Sequence, residues 1–141
     1  MIRKALVSDI NDIYSLGIKL DPLFNEKNNI EEYLNNNIYD IYVYEFDNKI
    51  IGFIMLTELY ETMELLYIII DDSYQHCGYG RKLVEYAINN CNQAVNRVIL
   101  EVRSNNNQAI SFYNKNNFKE ISIRKNYYDN EIDAIIMERS I

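Results

Sequence analysis

The chain has 141 residues, of which 48% are hydrophobic and 25% charged, and its formal net charge is −7. A chain of this length buries a core without disulfides, so we expect one globular domain over residues 1–141. The acidic balance disfavours a nucleic-acid-binding protein, which would carry a basic face.

Cysteine and histidine usage also excludes several classes of site. Two cysteines, Cys77 and Cys91, and a single histidine cannot build a zinc site. The N-terminal residues lack the apolar segment of a signal peptide, and no apolar run reaches bilayer length. We therefore expect a cytoplasmic protein with reduced thiols, no metal and no membrane contact, present as a monomer or homodimer.

The first part of the chain predicts one strand and two helices. Residues 2–6 alternate as a short strand, and Ser8 is a candidate N-cap for the helix that follows. Apolar residues recur at helical spacing from position 10 to 20. The stretch DPLFNEKN (21–28) predicts a loop, and IEEYLNN (30–36) predicts a second, short helix.

Three strands follow in sequence. Residues 40–46 alternate as a strand, 47–49 turn the chain, and 50–59 return as the partner strand. Residues 62–72 are almost continuously apolar at one end, which is typical of a buried strand. Residues 63–102 then make a strand–loop–helix–strand unit, whose two strands should be parallel with a right-handed crossover.

The last third of the chain predicts two helices and three strands. The first helix carries an apolar stripe at Leu83, Val84, Ala87, Ile88 and Cys91. NRVILEV (96–102) is a buried strand, Asn105 is a candidate cap for the second helix, and residues 118–124 and 133–139 are strands with 125–131 between them. The whole order predicts an α/β fold with a single mixed, mostly antiparallel sheet, a central parallel strand pair and flanking helices.

The corner YQHCGYGRKL (74–83) joins the buried strand to the first of these helices. Gly78 and Gly80 allow a tight turn and a close approach to a ligand. The free N–H groups of a first helical turn attract anions, so this corner favours a phosphate or pyrophosphate. The glycine spacing fits neither a Walker A loop nor a dinucleotide fingerprint. A turn with no ligand remains the alternative for this stretch.

The segment QHCGYG (75–80) resembles the Q/R-x-x-G-x-G/A signature of the GNAT superfamily of N-acetyltransferases. Further on, LEVRSNNNQAISFYNKNNF (100–118) and IRKNYYDNEIDAIIM (123–137) are similar to RimI-type ribosomal-protein-alanine N-acetyltransferases. The resemblance covers residues 50–139 well and residues 15–40 poorly, which leaves the substrate open. It implies the GNAT fold, acetyl-coenzyme A as cosubstrate, and a corner that grips its pyrophosphate.

Two residues are candidates for proton transfer. Glu101 ends a buried strand, where apolar neighbours would raise its pKa and make it a base; the alternative is a solvent-facing glutamate, or one that pairs with Arg103. Tyr113 could give a proton to the departing thiolate, or it could simply be a core aromatic. The resemblance implies the catalytic role for both residues.

Backbone and polar groups complete the candidate site. If the strand before the corner diverges from its neighbour, a free N–H there can bond the thioester oxygen. Asn106 matches an asparagine that contacts the cofactor in the subfamily, or it caps a helix. The cofactor-binding candidates are Ile68, Ile69, Ile70, His76, Cys77, Gly78, Tyr79, Gly80, Arg81 and Asn106.

The predicted function is therefore N-acetyltransfer from acetyl-coenzyme A to a protein N-terminal amine, directly, with Glu101 as base and Tyr113 as acid. Three alternatives stay open on the sequence. One is a small acceptor amine, such as a polyamine or an amino sugar, and the second is a non-catalytic acetyl-coenzyme A-binding module. The third is a structural domain that does not bind coenzyme A.

Overall fold

The computed structural model describes residues 1–128 and 131–141. Its helices are α1 (Ile10–Leu20), α2 (Phe24–Lys27), α3 (Ile30–Leu34), α4 (Tyr79–Asn89) and α5 (Asn107–Lys115). Its strands are β1 (Ile2–Lys4), β2 (Tyr39–Phe46), β3 (Lys49–Leu59), β4 (Thr62–Ile70), β5 (Arg97–Arg103), β6 (Lys119–Tyr128) and β7 (Ile132–Ser140).

Over the described residues the seven strands form one sheet in the order β1-β2-β3-β4-β5-β7-β6. Among these described strands β4 and β5 pair in parallel, and the other neighbours are antiparallel. The predicted fold class, a mixed and mostly antiparallel sheet with a central parallel pair and flanking helices, is confirmed. No helix in the described ranges has the length and apolar character needed to cross a membrane.

The first face of the sheet is covered by α4 and α5. In α4, Leu83, Val84 and Ala87 are buried because they share one side of the helix. They pack on β5, whose residues Val98 and Leu100 face the same core because strand side chains alternate. This core fixes the start of α4 against the end of β4.

The second face is covered only in part. The short helices α1, α2 and α3 pack on β2, β3 and β4 around Phe24, Ile30 and Phe53. Over β5, β7 and β6 the same face instead presents charged side chains, including Glu101 and Arg103. Where the covered and uncovered parts of this face meet, polar side chains lie on both sides, namely Asn28 and Tyr67 on one and Glu101, Arg103 and Tyr128 on the other. We call this boundary the polar cleft.

Two predictions near the N-terminus were wrong in detail. Ser8 does not cap α1, because it lies in a 3-10 turn at Val7–Asp9. Asp9 is buried there, where it pairs with Arg3 at 2.7 Å and accepts the N–H of Leu6. The predicted loop 21–28 contains α2, since the buried Phe24 packs directly on Gly17 of α1 and folds the chain back.

Two predictions in the second half of the chain were wrong in their positions. Asn106, not Asn105, caps α5, because its side chain accepts the N–H of Ala109 at 3.1 Å. The connection predicted at 125–131 is strand up to Tyr128, and 129–130 lie outside the described residues. The turn predicted at 47–49 is confirmed, with positive φ angles of 52° and 60° at its first two residues.

Candidate active site

The parallel strands β4 and β5 separate soon after they meet. They pair only at Thr62 with Arg97, Met63 with Val98 and Glu64 with Ile99. Just beyond, β4 carries one extra residue relative to β3, a bulge that bends the strand away. Within the described chain, Ile68–Ile70 therefore has no strand partner on its β5 side. This divergence is the condition under which a backbone N–H there could meet a ligand.

The side chain of Gln75 stabilises the corner that follows β4. The amide of Gln75 donates to the carbonyl of Ile70 at 3.0 Å and to Asp72 at 3.3 Å. His76 has a φ of 62° and Gly78 a φ of 85°, so the chain twice takes the left-handed conformation. We call residues 75–82 the glycine corner.

The glycine corner presents a run of unused donors. Within residues 1–128 and 131–141, no acceptor receives a hydrogen bond from the six N–H groups of His76 to Arg81. The first bonded amide is that of Lys82, which donates to Gly78 at 3.2 Å. Arg81 and Lys82 are exposed and add positive charge to that of the helix dipole. Such a cluster fits the oxygens of a diphosphate.

The two glycines of this corner have different surroundings. A Cβ on Gly78 would meet nothing within 4 Å, so its side faces open space. A Cβ on Gly80 would lie 3.0 Å and 3.1 Å from the ring of Phe112 on α5. Gly80 thus permits close packing of α4 on α5, while Gly78 keeps the space outside the corner clear.

Of the surroundings that the sequence left open for Glu101, the structure has the solvent-facing one. The expectation of apolar surroundings was wrong, because β5 turns Val98, Leu100 and Val102 to the core and Glu101 to the uncovered face. Its side chain is 32% exposed and 3.7 Å from the Arg124 guanidinium. The phenol of Tyr128 donates to its second oxygen at 3.3 Å. Arg103, the partner considered earlier, lies over the Tyr128 ring instead.

The opposite side of the cleft is organised by Asn28. Its side-chain amide donates to the Tyr67 phenol at 3.3 Å and to the Phe24 carbonyl at 3.0 Å. Its side-chain oxygen accepts from Tyr33 at 3.2 Å, and its backbone carbonyl accepts from Tyr14 at 3.0 Å. Asn28 thereby ties α1, α2 and α3 to β4.

Charges link the two sides of the cleft. Burial alone would raise the pKa of Asp21, but the Lys27 ammonium, the Leu23 N–H and the Arg103 charge together lower it. Arg103 therefore lies within electrostatic range of the loop that precedes α2. We define the polar cleft by Asn28 and Tyr67 on one side, and by Glu101, Arg103 and Tyr128 on the other.

Tyr113 lies on α5, on the side of β5 opposite to Glu101. It packs edge-on against Phe112 and Phe118, at ring distances of 5.5 Å and 5.6 Å. Burial raises the pKa of Tyr113 to about 12, so the phenol keeps its proton at neutral pH. Its hydroxyl makes no hydrogen bond to the residues that the structure describes. The side chain is therefore both a core aromatic and an available proton donor.

The structure brings some predicted residues together and separates others. Gly78, Tyr79, Gly80 and Arg81 lie together at the start of α4, and Ile68–Ile70 leads into the same corner. His76 and Cys77 are exposed in the corner, whereas Asn106 already uses its side-chain oxygen as a cap.

Sequence reasoning did not single out three residues of this region: Gln75, Asn28 and Phe112. Gln75 stands in the recognised signature, so its role could have been foreseen. The side-chain partners of the other two, and the contact of Tyr128 with Glu101, depend on tertiary structure that no local pattern encodes.

Comparison with known proteins gives one family and several relatives. The model of the acetyltransferase (GNAT) family matches residues 5–118. The [ribosomal protein bS18]-alanine N-acetyltransferase of Escherichia coli strain K12 is 35% identical over 111 residues, which cover 76% of this chain and 71% of that protein. An N-alpha-acetyltransferase of Sulfurisphaera tokodaii is 28% identical over 154 residues, covering 96% and 90%.

Solved structures give the same result for the fold. The crystal structure of the ribosomal-protein-S18-alanine N-acetyltransferase from Escherichia coli superposes with a TM-score of 0.84 at 28% identity, covering 100% of this chain and 93% of that one. A GNAT family acetyltransferase from Elizabethkingia anophelis, solved with acetyl-coenzyme A bound, has a TM-score of 0.81 at 21% identity, covering 100% and 97%.

Proposed function

This chain belongs to the acetyltransferase (GNAT) family, and we propose that it transfers the acetyl group of acetyl-coenzyme A to the N-terminal α-amine of a protein. It is an acetyltransferase enzyme, and acetyl-coenzyme A is its cosubstrate. The acceptor and the residue roles below are what we add. The observation that carries the donor side is the row of six unused amides in the glycine corner, which supports a diphosphate there.

Two relatives and one chemical argument support an N-terminal acceptor. The relatives compared above are named as an alanine N-acetyltransferase and an N-alpha-acetyltransferase, and both names fit an α-amine acceptor. An α-amine has a pKa near 7.7–8.0 and lysine one near 10.4, so deprotonating lysine at neutral pH costs about 3–4 kcal/mol more. A single carboxylate base suits the α-amine better.

Glu101 takes the proton from the acceptor ammonium, directly or through a water, on the uncovered face of β5. A backbone N–H of the diverging segment Ile68–Ile70 stabilises the negative charge that develops on the thioester oxygen. Tyr113, on the other side of β5, gives its proton to the departing thiolate, since burial keeps the phenol protonated. The amine nitrogen forms the new N–C bond as the C–S bond breaks, and its second proton restores the Tyr113 phenol. The two groups thus serve the two ends of one direct transfer, across the gap between β4 and β5.

The acceptor is tested with purified protein, acetyl-coenzyme A and three sets of amines. These are peptides with free N-termini, the same peptides with a blocked N-terminus and one lysine, and small amines such as spermidine or glucosamine. We expect coenzyme A release and a mass gain of one acetyl group on free N-terminal peptides only. Coenzyme A release with small amines alone contradicts the proposal. So does the absence of release with every amine of the panel.

The residue roles are tested with Glu101→Gln and Tyr113→Phe. Each removes one proton-transferring group and keeps the shape, so we expect kcat to fall about 100-fold while acetyl-coenzyme A affinity stays within twofold. Affinity is measured by calorimetry on the same protein samples. A loss of affinity with unchanged kcat shows that the residue has a structural role instead.

A further inference from the structure

We propose that Tyr128 orients the Glu101 carboxylate for catalysis, and that Arg103 fixes the Tyr128 ring for that purpose. This rests on the proposed role of Glu101 as base. Tyr128 ends β6, yet its hydroxyl reaches across β7 and lies 3.3 Å from Glu101 on β5. Tyr128 is thus a positioning residue, which acts on the reaction through Glu101.

A cation, the Arg103 guanidinium, lies over the face of the Tyr128 ring. The Arg103 guanidinium lies 4.2 Å from the centre of the Tyr128 ring, well within the range of a cation–π contact. Arg103 and Glu101 are two residues apart on β5, so their side chains leave the same face of the strand. The geometry is a chain of contacts, from guanidinium to ring and from hydroxyl to carboxylate.

The Tyr128 hydroxyl keeps its proton, and so remains a hydrogen-bond donor, throughout the pH range in which the enzyme would work. Burial, together with the charge and hydrogen bond of Glu101, raises the pKa of Tyr128 to about 12. A separation of 3.3 Å is long for an O–H···O bond. Catalytic hydrogen bonds often shorten when the substrate closes the site, so we expect this contact to tighten with acceptor bound.

The other partner of Glu101 is a weaker candidate for this role. The Arg124 side chain is 58% exposed and 3.7 Å from the first carboxylate oxygen. Exposed pairs of this kind contribute at most about 1 kcal/mol, and salt screens them. A partly buried phenol with one ring face covered has less freedom, so it restrains the carboxylate more firmly.

The decisive variant is Tyr128→Phe, which keeps the ring over Arg103 and removes only the hydroxyl. We expect kcat with an N-terminal peptide to fall about tenfold, the effect of one lost hydrogen bond to a charged group. The KM for acetyl-coenzyme A and for the peptide should stay within twofold, and the melting temperature within two degrees. A merely structural role would instead raise both KM values and lower the melting temperature.

Tyr127→Phe is the matched control, because it makes the same chemical change one residue earlier. Tyr127 is 50% exposed as a residue, and its hydroxyl bonds to no residue in the described ranges. We expect wild-type kcat. An equal loss in Tyr127→Phe and Tyr128→Phe would contradict the proposal, because it would show a general effect of phenols at this end of β6.

Arg103→Gln completes the test, through a double-mutant cycle with Tyr128→Phe. If Arg103 acts through Tyr128, the double variant is no slower than Tyr128→Phe alone; additive losses would exclude the relay. Glu101→Gln is measured alongside. Wild-type turnover in Tyr128→Phe together with a slow Glu101→Gln overturns this inference and leaves the proposed function standing. Wild-type turnover in Glu101→Gln overturns both.

Discussion

The glycine corner and the polar cleft are built from different parts of the chain. The corner offers backbone amides and two glycines with unlike surroundings, so its shape depends on main-chain conformation. The cleft is held by side chains that are distant in sequence, such as Asn28 with Tyr67 and Tyr128 with Glu101. The first region can be written as a short motif, whereas the second exists only after the sheet has formed.

The largest expected effect separates the two glycines within the corner. Gly80→Val places methyl groups against Phe112, which a Cβ would already meet at 3.0 Å, so we expect a loss of about 3 kcal/mol in the free energy of unfolding. Urea denaturation measures this. Stability within 0.5 kcal/mol of wild type would show that α5 yields and that the packing is not tight.

Gly78→Asn is the counterpart of that variant. Asparagine tolerates the left-handed φ of 85°, and no neighbour obstructs its Cβ. We expect nearly normal stability but at least tenfold weaker acetyl-coenzyme A binding, because the new side chain occupies the space assigned to the diphosphate. Unchanged affinity by calorimetry would place the diphosphate elsewhere.

The next effect tests the cleft in the same way. Asn28→Ala leaves the Tyr67 and Tyr33 hydroxyls without their partner, so we expect a loss of about 2 kcal/mol in stability. The peptide KM should rise while the KM for acetyl-coenzyme A does not. Asn25→Ala, an exposed change on α2 three residues earlier, serves as control. If both KM values rise together, the two regions are not independent.

The smallest expected effect comes from Asp40, which lies outside the glycine corner and the polar cleft. It makes the stability of the folded protein depend on pH. Burial, followed by the neighbouring Glu58 carboxylate, raises the pKa of Asp40 to about 7. In the unfolded chain an aspartate ionises near 3.9. The folded state therefore binds the proton more tightly, and its stability falls as pH rises from about 4 to about 7. We expect a loss of about 1 kcal/mol by pH 8, because the pair is partly exposed.

Asp40→Asn should remove this pH dependence and stabilise the protein at pH 8. Thermal unfolding at pH 5 and pH 8 measures it, with the exposed Asp12→Asn as control. A wild-type melting temperature that does not fall between these pH values would contradict the shift. Turnover of Asp40→Asn should follow the wild-type pH profile, since Asp40 lies in neither the corner nor the cleft.

The contrast between the two regions also explains what the sequence could predict. The succession of seven strands along the chain, the parallel pair and the glycine corner follow from local periodicity and from one motif, and the structure has them. The burial of Glu101 was wrongly predicted, because the alternation along β5 shows that 101 and 102 face opposite sides but not which side is covered. The helix α2 was missed because its four residues are too few to show a helical repeat of apolar positions. It forms through a tertiary contact, the packing of Phe24 on Gly17.

The brief pairing of β4 with β5 has a consequence for handling the protein. A sheet normally has two edges, but this one opens two more in its middle, where main-chain groups have no strand partner among the described residues. Such edges invite pairing with another chain and hence aggregation. A bound coenzyme that fills the opening would close both edges and favour the folded state by mass action, so preparations should keep better with coenzyme A present than without it.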